Sequence, residues 1–138
     1  MLTLPQDVYD DLVDNALEGA PEEVCGVLGG VKDGDRSRVT SVRRTANVSS
    51  TPETAYAIDP AEQFACLAAI EAAGDEVVGF YHSHPAGPPG PSVTDARRAT
   101  WPDVTYCIVV LDGRHPFVGA WRWRADAARF EPEVVRRT

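Results

Sequence analysis

Residues 76–95 read EVVGFYHSHPAGPPGPSVTD, and this stretch carries both a strand and the groups at its end. It starts as an apolar, β-rich run and turns polar from His82, which predicts a strand leaving a sheet with its functional side chains at the exit. His82 and His84 are two apart, so on a strand both imidazoles share one face and can converge on a single ion. The run AGPPGPS (86–92) is neither helix nor strand interior, because prolines remove backbone donors and glycines loosen the chain. A third ligand must then come from another element through a connector loose enough to fold back, and Asp95 lies just past that connector. Two neutral imidazoles and a carboxylate leave a fourth tetrahedral position for water, which is the arrangement of a catalytic zinc. The plainer alternative is two ordinary polar histidines at a strand end, with Asp95 capping the next helix.

Upstream, Val8, Leu12, Ala16 and Leu17 recur at helical spacing over residues 5–19, with Asp7, Asp10, Asp11 and Asp14 on the other faces and Gly19 at the end. EEVCGVLGGV (22–31) is short, apolar and closed by glycines, and predicts a buried strand. The KDGD turn returns the chain into RSRVTSVRR (36–44), whose alternation marks a half-exposed strand, so the two predict a hairpin. Residues 46–56 are rich in Ser, Thr and Pro and predict a loop, followed by a short strand Tyr56–Ala57–Ile58. Asp59 then caps a second helix with Pro60 at its first position and Phe64, Leu67, Ala68 and Ile70 inward.

Downstream, residues 94–100 predict a helix stopped by Trp101-Pro102, and VTYCIVVL (104–111) a central strand covered on both faces. Asp112-Gly113 turns into PFVGAWRWR (116–124), and ARFEPEVVRR (128–137) closes the chain. No internal repeat or low-complexity segment interrupts it. The fold class is α/β or α+β, a mixed sheet flanked by helices, in one domain over residues 1–138.

The chain has 138 residues, 43% of them hydrophobic, enough for a packed core without disulfides. Thirteen basic residues against 21 acidic ones give a net charge of −8, which repels phosphate backbones and argues against nucleic acid as a partner. Only Lys32 is a lysine, and this arginine bias with the acidity points to a high-GC genome or a salt-loving cytoplasm. The start lacks a basic region followed by an apolar one, and no run approaches the roughly 20 apolar residues that span a bilayer. The expected location is therefore cytoplasmic, with no membrane. Cys25, Cys66 and Cys107 sit inside apolar segments without a CxxC pair, and are expected to be buried reduced thiols and not nucleophiles.

HSHP, six residues, Ser92, two residues and Asp95 resemble the JAMM signature of the MPN+ metalloproteases, H-S/T-H-P-x6-S-x2-D, at every fixed position. Pro21-Glu22-Glu23-Val24-Cys25-Gly26 resembles that family's P-x-E-x-C-G segment. Asn47, Pro52, Tyr56, Ile58, Asp59 and Pro60 resemble its middle segment, so the likeness covers roughly residues 5–112. The resemblance implies an MPN/JAMM-like, mostly antiparallel mixed sheet of cytidine-deaminase-like type. It implies one Zn2+ per chain on His82, His84 and Asp95, with Glu23 as proton carrier and Ser92 donating to the oxyanion. Glu23 is selected over Glu22 by the resemblance, and adjacent strand residues would face opposite sides, so only one of them reaches the site. Ser92 could instead be a helix N-cap.

The implied reaction is hydrolysis of the amide after the C-terminal Gly-Gly of a ubiquitin-like modifier. The archaeal desampylases resemble this chain best in size, acidity and the GPPGPS loop. A Gly-Gly tail could add as a strand to an exposed sheet edge. Within the same family, the alternative is a sulfur-carrier-protein peptidase that releases an amino acid such as cysteine. A different class is the metal-free MPN− scaffold, which has lost ligands that this chain retains. Ser83 is expected to be structural and His115 solvated.

Overall fold

The computed structural model describes residues 1–113 and 115–138. In chain order the elements are β1 (Leu2–Leu4), α1 (Gln6–Gly19), β2 (Cys25–Asp33), β3 (Arg36–Thr45), α2 (Pro60–Ala72), β4 (Glu76–His84), α3 (Val93–Arg98), β5 (Thr105–Val110), β6 (Phe117–Arg124), β7 (Arg129–Glu133) and β8 (Val135–Arg137). The strands form one mixed sheet in the order β7-β6-β5-β4-β2-β3-β1-β8. Four of its seven pairings are antiparallel: β2 with β3, β2 with β4, β5 with β6, and β6 with β7.

Local chemistry explains most of the elements. Val8, Leu12 and Ala16 make the buried stripe of α1, four residues apart, while Leu17 is 54% exposed and lies outside it. The β2–β3 hairpin turns through Gly34, whose φ of 59° suits a residue without a Cβ. Asp59 caps α2, its carboxylate accepting from the Ala61 and Glu62 N–H groups, with Pro60 inside the first turn. β5 is buried along its whole length, as an interior strand covered by helices requires. It runs parallel to β4, and the connection between them carries α3.

Two apolar clusters cover the two faces of the sheet. One contains α1 residues with Leu28, Val78, Tyr81, Cys107 and Val109. The other gathers Val27, Ile70, Phe80, Tyr106 and Trp123, with Leu67 of α2 and Ala96 of α3 against it. Gly79 is needed where β4 meets β5, since a Cβ there would run into the Thr105 backbone.

Several expectations are corrected. Residues 56–58 are irregular and not a strand. α2 is rotated from the expected phase: Phe64 is 73% exposed and Ala68 is also outside, while Ile70, Leu67 and Cys66 face the sheet. Cys66 is only partly buried, unlike Cys25 and Cys107. β1 was not expected, and it runs parallel between β3 and β8. The two sheet edges, β7 and β8, lie away from β4, which is paired on both sides by β2 and β5. Among the described residues no helix is long and apolar enough to cross a membrane.

Candidate metal centre

The pairing of β2 with β4 shifts register between Leu28 and Gly29, leaving Val78 as an extra residue on β4. Beyond that bulge strict alternation holds. Phe80, His82 and His84 face the α2–α3 side, and Tyr81 and Ser83 the α1 side. Both histidines are almost fully buried. Ser83 serves the backbone: its Oγ accepts from Val24 N–H (2.8 Å) and its own N–H donates to Val24 O (3.1 Å).

The loop after β4 sets the chemistry of His84. Its Nδ1 lies 2.8 Å from the Pro88 carbonyl, which can only accept, so Nδ1 carries the proton and the neutral ring presents a lone pair at Nε2. The loop then enters α3 through a capping box. Ser92 Oγ accepts from Asp95 N–H (3.0 Å), and Asp95 Oδ2 accepts from Ser92 N–H (2.9 Å). This points the Asp95 carboxylate back at the strand end.

Three atoms able to ligate a metal thereby converge. His82 Nε2 and His84 Nε2 are 3.1 Å apart, and Asp95 Oδ2 lies 3.2 Å from the first and 3.0 Å from the second. A tetrahedral ion with bonds of about 2.0–2.1 Å holds its ligand atoms about 3.3 Å apart, close to this triangle. The protonation states also fit. Burial lowers the pKa of His82 and keeps it neutral. Burial would raise Asp95, but its contacts with the His82 and His84 imidazoles, with the Ser92 N–H beside them, outweigh it and hold the carboxylate well below its usual range. For His84, burial disfavours charge, yet the bonds to Asp95 and the Pro88 carbonyl outweigh it, so a proton competes for the place of a cation.

Glu23 approaches from a different element. It precedes β2 in irregular chain, so the expected strand alternation does not separate it from Glu22; burial does, with Glu23 6% exposed and Glu22 open to solvent. Glu23, His82 and His84 each offer an atom within 4.8 Å of the others. Burial pushes the Glu23 carboxyl from 4.5 up to about 7, against the lowering influence of His84, and Oε1 is buried with no hydrogen-bond partner. The register Cys25↔His82 brings it there. The structure thus gathers Glu23, His82, His84, Ser92 and Asp95 at one end of β4. His115 lies outside this group, in an exposed bend.

The family model for prokaryotic homologs of the JAB domain matches residues 5–125. This chain belongs to that family. Over 132 residues the JAB-domain chain is 46% identical to the desampylase of Haloferax volcanii, covering 93% of this chain and 91% of that one. Over 115 residues it is 37% identical to the CysO-cysteine peptidase of Mycobacterium tuberculosis, covering 83% and 77%. A solution structure from Desulfitobacterium hafniense superposes with a TM-score of 0.89 at 30% identity, over 100% of this chain and 93% of that one.

Two participants, Tyr56 and Asn47, match the family's middle segment, but nothing in the sequence assigned either of them a role. The Tyr56 ring stacks on His82, centroids 4.4 Å apart and planes 21° from parallel. It also borders a cavity of about 440 Å3 lined by Ile58, Phe80, Arg98, Trp101 and Tyr106. Asn47 touches no member of the trio but holds the chain around Glu23. An Asn in a Ser/Thr-rich loop reads as a turn residue, and nothing local says what it reaches.

Proposed function

We propose that this JAB-domain chain is a zinc-dependent isopeptidase, desampylase-like, which hydrolyses the amide after the C-terminal Gly-Gly of a ubiquitin-like modifier. We take residues 1–138 as one catalytic domain. We place it in the cytoplasm, where its three free cysteines would stay reduced. The observation that carries the reading is the convergence of His82, His84 and Asp95 beside a buried carboxyl poised near neutrality.

His82 Nε2, His84 Nε2 and Asp95 Oδ2 would hold one zinc ion. When bound, zinc supplies Lewis acidity, bringing the pKa of a water from about 16 toward about 7 and polarising a carbonyl. Glu23 takes the proton of the attacking water and returns it to the departing amine. Burial raises its carboxyl above the ordinary carboxylate range, which favours taking up a proton during the reaction. Ser92 Oγ spends a lone pair on Asp95 N–H, which leaves its O–H free to donate to the carbonyl oxygen as negative charge grows there. The capping and oxyanion roles are therefore compatible. The Tyr56 ring keeps water from one face of His82.

The modifier tail cannot pair with β4, whose two sides are already taken, and the sheet edges lie elsewhere. It runs across the exit of β4, past the aromatic cavity beside Tyr56. No thiol takes part: Cys25 and Cys107 are buried, Cys66 lies on α2 outside the trio, and burial pushes all three thiols up.

The test is incubation of purified protein with a modifier–lysine conjugate, with and without a chelator. Release of both products only without chelator supports the reading. Cleavage confined to a modifier carrying a single C-terminal cysteine would move the assignment to sulfur-carrier processing, and undiminished cleavage in excess chelator would refute the metallopeptidase.

A further inference from the structure

Glu23 has a positioning problem that its own side chain does not solve. Its Oε1 is buried without a partner, so no hydrogen bond at that oxygen fixes the carboxylate. What the protein grips is the main chain of this residue, and Glu23 lies outside the regular ladder that would hold a strand residue.

Both main-chain groups of Glu23 end on one loop, the irregular stretch between β3 and α2. Glu23 N–H donates to Pro52 O (2.7 Å), and Glu23 O accepts from Asn47 Nδ2 (2.9 Å). The same amide shapes that loop. Asn47 Nδ2 also donates to Ala55 O (3.0 Å), with a longer contact to Pro52 O (3.5 Å), and its Oδ1 accepts from Ser49 N–H (3.0 Å) and Ala57 N–H (3.1 Å). Between Ala55 and Ala57, the two residues gripped by opposite ends of the amide, sits Tyr56 with its ring on His82. On the other side, the next residue, Val24, is held by Ser83 from between the two histidines.

We propose that Asn47 is a positioning residue for Glu23: one partly buried amide joins the Glu23 main chain to the loop that places Tyr56 on His82, so carboxylate and metal trio form one rigid unit. This rests on the reading of Glu23 as the proton carrier. A displacement of about 1 Å at such a group costs on the order of 100-fold in rate, and that is the scale on which loss of the amide acts.

The experiment is a double-mutant cycle on the zinc-loaded protein, with Asn47→Ala made in the native and in the Glu23→Gln background. In the native background kcat should fall about 10- to 100-fold with KM within about twofold, and metal per chain should be unchanged, since no ligand is touched. In the Glu23→Gln background the further loss should be less than about twofold, because the group being positioned is already disabled. Without any turnover, amide hydrogen exchange at Glu23 and Ala57 should quicken by about tenfold or more while that of β4 stays protected. Equal fold-losses in both backgrounds would overturn the proposal and leave Asn47 a loop residue; so would native kcat in Asn47→Ala. Full turnover by Glu23→Gln would overturn the reading beneath it as well. If Asn47→Ala does not fold, Asn47→Ser, which keeps one donor and one acceptor, takes its place in the same cycle under the same criteria.

Discussion

Glu23 shows how a residue can be costly to the fold and useful to the site. Its carboxyl is raised from 4.5 to about 7 by burial, so the unfolded chain releases this proton before the folded one does. Its contribution to stability is fully present below pH 4.5, is lost as pH rises toward 7, and stays lost above it. In chelated protein at pH 8, Glu23→Gln should therefore melt several degrees higher than the native chain, a gain on the order of 2–3 kcal/mol, and at pH 4 the difference should nearly vanish. Thermal melts at the two pH values check this, and a lower melting point for the variant at pH 8 would count against the burial argument. With metal restored, the same variant should keep its ion but lose about 100- to 10,000-fold in turnover, because an amide accepts no proton. If Glu22→Gln were the inactive variant instead, the assignment of the carboxylate would be wrong. The trio was legible in spacing because His82 and His84 share a strand face and Asp95 follows a Pro/Gly connector. Tyr56 and Asn47 were not, because what they touch is set by the path of a loop.

At the scale of elements, α3 is six residues long and is held at its start by the capping box that also aims Asp95. Ser92→Asp keeps an acceptor for the Asp95 N–H but removes the hydroxyl donor, whereas Ser92→Thr keeps both. Turnover should survive in Thr and fall in both Ala and Asp, while the cap, worth about 1 kcal/mol, is lost only in Ala. Rescue of turnover by Asp would reduce Ser92 to a cap. α2 illustrates why phase was misread: its apolar residues lie all round, with Ala61, Phe64, Ala65 and Ala68 outward and Leu67 and Ile70 inward, so periodicity alone cannot choose a face. Denaturant unfolding should find Phe64→Ser within about 0.5 kcal/mol of native and Ile70→Ala destabilised by about 2–5 kcal/mol. The reverse order would mean that the helix packs by its other side.

For the whole molecule, the proposed ligands come from β4 and α3 and the proposed proton carrier from the approach to β2, so binding of an ion would report on the assembled fold. A chelator should remove turnover and lower the melting temperature, and added zinc should restore both at about one equivalent per chain. Elemental analysis well below that level, unimproved by added zinc, would sink the site. Thiol alkylation of the folded protein should leave turnover nearly intact, since Cys25 and Cys107 are buried and the half-exposed Cys66 is on α2, outside the ligand trio. The sequence by itself determined the hairpin, the Asp59-capped helix and the central apolar strand, and it named His82, His84 and Asp95 as candidates to converge, because each depends on period, capping or spacing within a short stretch. Only the tertiary structure decided the rest: the order of the strands, the three-residue β1 between two distant partners, the face α2 buries, and the arrival of Glu23 beside His82. Those depend on main-chain hydrogen bonds and packing between segments far apart in the chain, in the register Cys25↔His82 and in the five contacts of the Asn47 amide.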